Sequence, residues 1–182
     1  MSKKEYNKLT NQEKLALVRF YSEEAKKDEN TDIRLEAYRA LGFTKQAKKD
    51  SWWLIRQEAY EALGFTKEAF DDKDKDIRRK AYRALGYTEK AKKDEYYDIR
   101  QEAYRALGYT EEAKKDSFWA IRQGAYTALG FTKEAFNDKD WFIRREAYRI
   151  LGYTEDALND EDEDIRREAK IYLDFIKLNK KI

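Results

Sequence analysis

The stretch Asp72-Lys-Asp-Lys-Asp-Ile77-Arg78-Arg-Lys-Ala81-Tyr82-Arg-Ala84-Leu85-Gly86-Tyr-Thr88-Glu-Lys-Ala91-Lys-Lys93 is one copy of a pattern that the chain writes seven times. Each copy has Asp, four variable residues and Ile-Arg, starting at Asp28, Asp50, Asp72, Asp94, Asp116, Asp138 and Asp160, always 22 residues apart. A unit this short can bury an apolar face only against neighbouring copies, so the period predicts an all-α solenoid. Within a copy, Ile77, Ala81, Ala84 and Leu85 are spaced as one stripe of a helix. Gly86 ends that helix, as Gly42, Gly64, Gly108, Gly130 and Gly152 do in other copies. Thr88 is placed to N-cap a second, abbreviated turn through Ala91. Each repeat is therefore one helix of about three turns plus one short turn.

Working outward, residues 1–27 form an N-terminal helical cap in which Phe20–Lys27 copy the second half of a repeat behind an amphipathic helix that lacks the Asp and Ile-Arg. Six repeats fill residues 28–159, and residues 160–182 form a capping repeat of the same continuous solenoid. There Lys170, Asp174 and Ile176 replace the recurrent Tyr, Gly and Thr, so the last helix runs on toward Lys180.

Composition narrows the function. The 39 Lys and Arg against 37 Asp and Glu give a net charge of +2 with both signs interspersed, which supplies neither a general nucleic-acid field nor a polybasic membrane patch. No stretch has the length of a membrane span, the amino end lacks a signal-peptide core, and Cys is absent, which together point to an intracellular, cytoplasmic protein without a membrane partner. With no His and no Cys, the usual nucleophile, general-base and zinc-ligand sets are missing. The runs Asp72–Asp76 and Asp160–Asp164 begin like calcium loops, but Ile77 and Ile165 stand where the loop needs Gly. Neither an enzyme nor a cofactor site is expected, and no metal.

Asp28 with Ile33-Arg34, then Glu36-Ala37 and Ala40-Leu41-Gly42, resembles the short bacterial HEAT-like repeat of the phycobilisome lyase type and, more distantly, the leucine-rich-repeat variant. The resemblance spans residues 28–169. It implies a right-handed α-solenoid in which Asp28 through Asp160 and Arg34 through Arg166 form a hydrogen-bonded ladder between repeats. This chain is shorter per repeat than the family, and Tyr38, Tyr60, Tyr82, Tyr104, Tyr126 and Tyr148 stand where the family places a small residue. Each Tyr is expected to fill the volume that the shortened second helix vacates.

The remaining aromatics divide by position. At the third place of a repeat, Trp52, Tyr96 and Phe118 occur where Lys48, Lys92 and Lys114 lie four residues earlier, whereas Asp74, Asp140 and Asp162 follow Phe70, Phe136 and Leu158. In these six repeats the two places trade one apolar group, with Lys26 and Asn30 of the first repeat the exception, so the third place reads as core. At the fourth place Trp53, Tyr97, Trp119 and Trp141 show no such compensation and read as exposed recognition anchors, with Leu54 and Phe142 beside them. Repeat 5 departs furthest: Ala120, Gly124 and Thr127, next to Gln123, put small side chains on one helix face and predict a notch walled by Arg105 and Arg149.

The reading that follows is a monomeric, non-enzymatic scaffold that recognises a protein partner through this face and takes a partner side chain, or a small aromatic or anionic ligand, in the notch. Two alternatives stay open. One is nucleic-acid or nucleotide binding, with bases stacked on the aromatics and phosphates on Arg39, Arg83, Arg105, Arg149 and the pairs Lys26-Lys27, Lys48-Lys49, Lys92-Lys93 and Lys114-Lys115. The other is a designed repeat scaffold, against which the irregular cap and Gly124 favour a bacterial or phage-type origin.

Overall fold

The structure, a computed structural model, describes residues 3–179. Helices α1 (Lys3–Tyr6), α2 (Asn11–Leu17) and α3 (Ser22–Ala25) precede the repeats. Six 11-residue helices follow: α4 (Thr31–Leu41), α5 (Trp53–Leu63), α6 (Lys75–Leu85), α7 (Tyr97–Leu107), α8 (Trp119–Leu129) and α9 (Trp141–Leu151). The last helix, α10 (Glu163–Asn179), has 17 residues and no glycine stop, as the sequence predicts up to the limit of the described residues. Short 3₁₀ turns of three to five residues connect the helices from α4 onward, and no strand occurs among the described residues. The chain divides into two compact units between Tyr87 and Thr88; within each, successive repeats stack as a solenoid.

The core is one motif repeated. Tyr60 of one repeat, Ala69 of the 3₁₀ turn, and Ile77 and Ala81 of the next helix form one cluster. Tyr104, Ala113, Ile121 and Ala125 form another, as do Tyr126, Ala135, Ile143 and Ala147. The tyrosines are buried and stack on the aromatic five residues on, as in Tyr60–Phe65 at 5.6 Å and Tyr104–Tyr109 at 5.7 Å between centroids. They thus occupy the space beside the short turn.

The buried stripe is therefore Ile, Ala and Tyr, which corrects the expectation for its other half. Ala84 and Leu85 are exposed, and so are Leu41, Leu63, Leu107, Leu129 and Leu151, each 40–46% accessible. A 3₁₀ turn of three to five residues is too short to cover the last turn of the helix against which it packs, so the wheel position of these residues does not bury them. Gly86 has φ 95° and ψ 146°, a region beyond the left-handed helix that is essentially reserved for glycine, while a Cβ there would meet open space. Conformation alone demands the residue. The threonines act differently from expectation as well. Thr88 gives its carbonyl to the Ala91 N–H at 2.9 Å, the 3₁₀ turn runs Ala91–Lys93, and no threonine side chain caps it.

The Asp–Arg ladder holds each stack together. Arg56 donates from Nε and Nη2 to the Asp72 carboxylate at 2.9 and 2.7 Å, and from Nη1 to the carbonyls of Asp50 and Ser51 at 3.0 and 3.1 Å. Arg34–Asp50, Arg100–Asp116, Arg122–Asp138 and Arg144–Asp160 repeat that fork. Each Asp also accepts the backbone N–H two residues on, as Asp50 does from Trp52 at 2.9 Å. Burial works against the Asp50 charge, but the bonds from Arg34 and the Trp52 N–H outweigh it and hold the carboxyl below its ordinary range. In the N-terminal cap, Lys14 Nζ at 2.8 Å and the Tyr6 hydroxyl at 3.0 Å serve Asp28 in place of an arginine.

Candidate binding face and groove

The third place of a repeat turns out to be the N-cap. Asp74 accepts the N–H groups of Asp76 and Ile77, Asn30 those of Asp32 and Ile33, and Asp140 that of Phe142. Trp52, Tyr96 and Phe118 stand at the same place and make no side-chain cap bond. Trp52 and Phe118 instead pack, partly buried, on the inter-repeat clusters, as expected; Tyr96 departs from the core reading at 39% exposed. The traded residue also has a fixed place. Phe70 stacks on Tyr82 at 4.4 Å and Phe136 on Tyr148 at 4.3 Å, whereas Lys48, Lys92 and Lys114 set their ammonium groups over Tyr60, Tyr104 and Tyr126 at 4.7–5.3 Å. Lys48 also donates to the Gly64 carbonyl at 2.7 Å. One lysine of each such pair therefore works inside the fold, which leaves less of a basic edge than the sequence suggests.

At the fourth place, where each long helix begins, Trp53, Tyr97, Trp119 and Trp141 are 43–50% exposed. Leu54 is not free in the same way, since it packs beside Trp52 and Phe43 on the first inter-repeat cluster, and Phe142 is half-buried, edge-on to Trp141 at 5.8 Å. Trp53 and Leu54 belong to the first compact unit and the other candidates to the second.

Along α8 the small residues do open the surface. Arg105, Trp119, Ala120, Gln123, Gly124 and Thr127 share a shallow groove of about 510 Å³ with Gln101 and Tyr109, and Gln123 and Thr127 also line a depression of about 350 Å³ toward Glu146 and Ile150. The predicted depth is corrected by Tyr109, whose ring lies over Gly124. A Cβ on Gly124 would fall 2.5 Å from Tyr109 Cζ and 2.8 Å from Cε1. Arg149 is corrected too. It is not a wall of this groove, and its guanidinium bonds Glu168 at 3.2 and 2.9 Å and Glu146 at 3.3 Å. Arg145 and the Tyr153 hydroxyl also donate to Glu168. These donors, Arg145 foremost, pull the Glu168 carboxyl down to about 2, while burial and the neighbouring Glu168 push Tyr153 up to about 12.

Two features escaped the sequence reading: the exposed leucines above, and an apolar patch of Ile171, Phe175 and Leu178 on α10, each more than 60% accessible. The second is legible as an i, i+4, i+7 row; it is easily read as the core stripe of a terminal helix. Among the described residues no helix is long and apolar enough to cross a membrane, and no cluster of three or more His, Cys, Asp or Glu could hold a metal ion. No protein-family model matches the sequence, and no curated protein matches it.

Proposed function

We propose that the chain is a non-enzymatic, intracellular binding module of the short HEAT-like type that acts as a monomer and captures a protein partner on its exposed helix face. The observation that carries this reading is Trp53 on the first compact unit and Tyr97, Trp119 and Trp141 on the second. Four large aromatics remain 43–50% exposed on helices whose opposite sides are locked by the Ile–Ala–Tyr clusters and the Asp–Arg ladder. A rigid support lowers the entropy lost on docking, and Trp and Tyr are the side chains that most often dominate interface energetics. The groove beside Trp119 adds a place for one partner side chain.

Replacing Trp53, Trp119 and Trp141 together by Ala is expected to abolish partner capture from cell extract while leaving the helical circular-dichroism signal and melting cooperativity intact. Unchanged capture would sink the proposal. Binding of single-stranded nucleic acid with a steep loss of affinity in salt would replace it with the phosphate-binding alternative.

A further inference from the structure

The repeats supply an internal reference for the groove on α8. Gln101, Arg105, Tyr109 and Gly124 occupy the same repeat positions as Arg145, Arg149, Tyr153 and Glu168, each 44 residues later. At the later junction, Arg145, Arg149 and Tyr153 converge on the Glu168 carboxylate. The same cross-repeat pair occurs between α4 and α5, where Arg39 grips Glu58 at 3.0 and 2.5 Å, and with reversed signs between α5 and α6, where Lys80 reaches Glu61 at 2.7 Å. Between α7 and α8 the Arg and the Tyr persist, Gln101 stands in for Arg145, and the acceptor is gone. Gln101, Arg105 and Tyr109 line one groove, and neither Arg105 nor the Tyr109 hydroxyl has a hydrogen-bond or ion-pair partner among the described residues.

We infer that this groove is a receptor for a carboxylate delivered by a partner polypeptide: an acidic side chain enters the groove beside the Tyr109 ring, pairs with Arg105 and accepts from the Tyr109 hydroxyl, with its flanking apolar residue against Trp119. The inference rests on the binding reading above and specifies the chemistry of the bound segment. Glu168 shows that an Arg and a Tyr at these two places close on a carboxylate, there with Arg145 as a further donor. Gly124 removes the internal one, and the Tyr109 ring lies where its Cβ would be. Arginine recognises a carboxylate through two parallel N–H bonds, which makes the charge directional as well as attractive.

The probe is a short end-blocked peptide with one glutamate between two leucines, compared with its glutamine counterpart at equal ionic strength. Binding is followed by NMR at the Trp indole N–H and Arg Nε–H signals of the ¹⁵N-labelled chain. The glutamate peptide is expected to shift the Trp119 and Arg105 signals saturably, at least about tenfold more tightly than the glutamine peptide. Arg105→Gln should abolish that difference, Gly124→Glu should block the site from within, and Arg149→Gln should leave it unchanged. Equal binding of both peptides, no shift at millimolar peptide, or full binding by Arg105→Gln would overturn the inference. If the tryptophan triple variant loses its partner while the glutamate peptide fails to bind, only this inference falls. If the peptide binds and the triple variant keeps its partner, the proposed face falls instead.

Discussion

Asp138 and Arg122 show what a single ladder rung does. Arg122 is 3% and Asp138 9% exposed, their two bonds are 2.8 and 2.7 Å, and Asp138 also accepts the Asp140 N–H at 2.8 Å. Removing one member leaves the other charge buried without its partner. Asp138→Ala is therefore expected to destabilise the chain by about 3–5 kcal/mol. Arg39, by contrast, pairs with Glu36 and Glu58 in solvent, so Arg39→Ala should cost at most about 1 kcal/mol. Urea titration of the two variants checks the contrast, and similar losses would mean that the ladder is no more than a surface decoration. Both pairs are Arg with an acid, and both are written in the sequence. Only packing separates the structural rung from the exposed one.

Helix starts are where residue chemistry becomes element behaviour. Repeats 3 and 6 cap the helix with Asp at the third place and stack an aromatic on the next Tyr, whereas repeats 2 and 5 give up the cap, pack an aromatic at the third place and lay a lysine over that Tyr; repeat 1 has both the Asn30 cap and Lys26 over Tyr38. Exchanging both sites in repeat 2, by Lys48→Phe with Trp52→Asp, reproduces the Phe70–Asp74 arrangement. Lys48→Phe alone crowds the cluster that Trp52 already fills, and Trp52→Asp alone strips it, each costing about 1–3 kcal/mol. The double variant should recover at least about 1 kcal/mol of their sum in a thermodynamic cycle; strict additivity would show that the two sites do not share a slot. Helix α8 poses a related question. Either Gly124→Glu or Gly124→Ala gains up to about 1 kcal/mol of helix propensity and must push the Tyr109 ring aside, but only Glu can then take the place that Glu168 holds at Arg149 and Tyr153 and gain a pair. The Glu variant should melt about 2–4 °C above the wild type and above the Ala variant. A Glu variant that melts lower would make Gly124 a packing residue for Tyr109.

Across the whole molecule, the absence of His leaves no side chain with an ordinary pKa between about 5 and 8, so stability should be flat there. Asp50, Asp116 and Asp160 have depressed carboxyls, opposed by burial and held by Arg34, Arg100 and Arg144, and Glu168 lies near 2. Their contribution is complete above the unfolded carboxylate range of about 4 and disappears as pH falls through the folded values. Burial raises Tyr38, Tyr60, Tyr104, Tyr126 and Tyr148, whose contribution is complete below about pH 10 and is lost as pH rises through the raised values. A melting-temperature profile should therefore form a plateau falling on both sides, and a step between pH 6 and 7 would contradict it. The sequence by itself determined the 22-residue period, the helix ends at Gly86 and its counterparts, the Asp and Arg of each rung, and the exposure of Trp53, Trp119 and Trp141, because these follow from local conformation and from identity recurring at fixed spacing. Tertiary structure alone decided that Leu85 and its equivalents face solvent, that Tyr109 covers Gly124, and that Arg149 is engaged while Arg105 is not. Those outcomes depend on what the neighbouring repeat places opposite each side chain, and a short 3₁₀ turn, a tyrosine ring and a missing carboxylate are properties of the neighbour rather than of the residue itself.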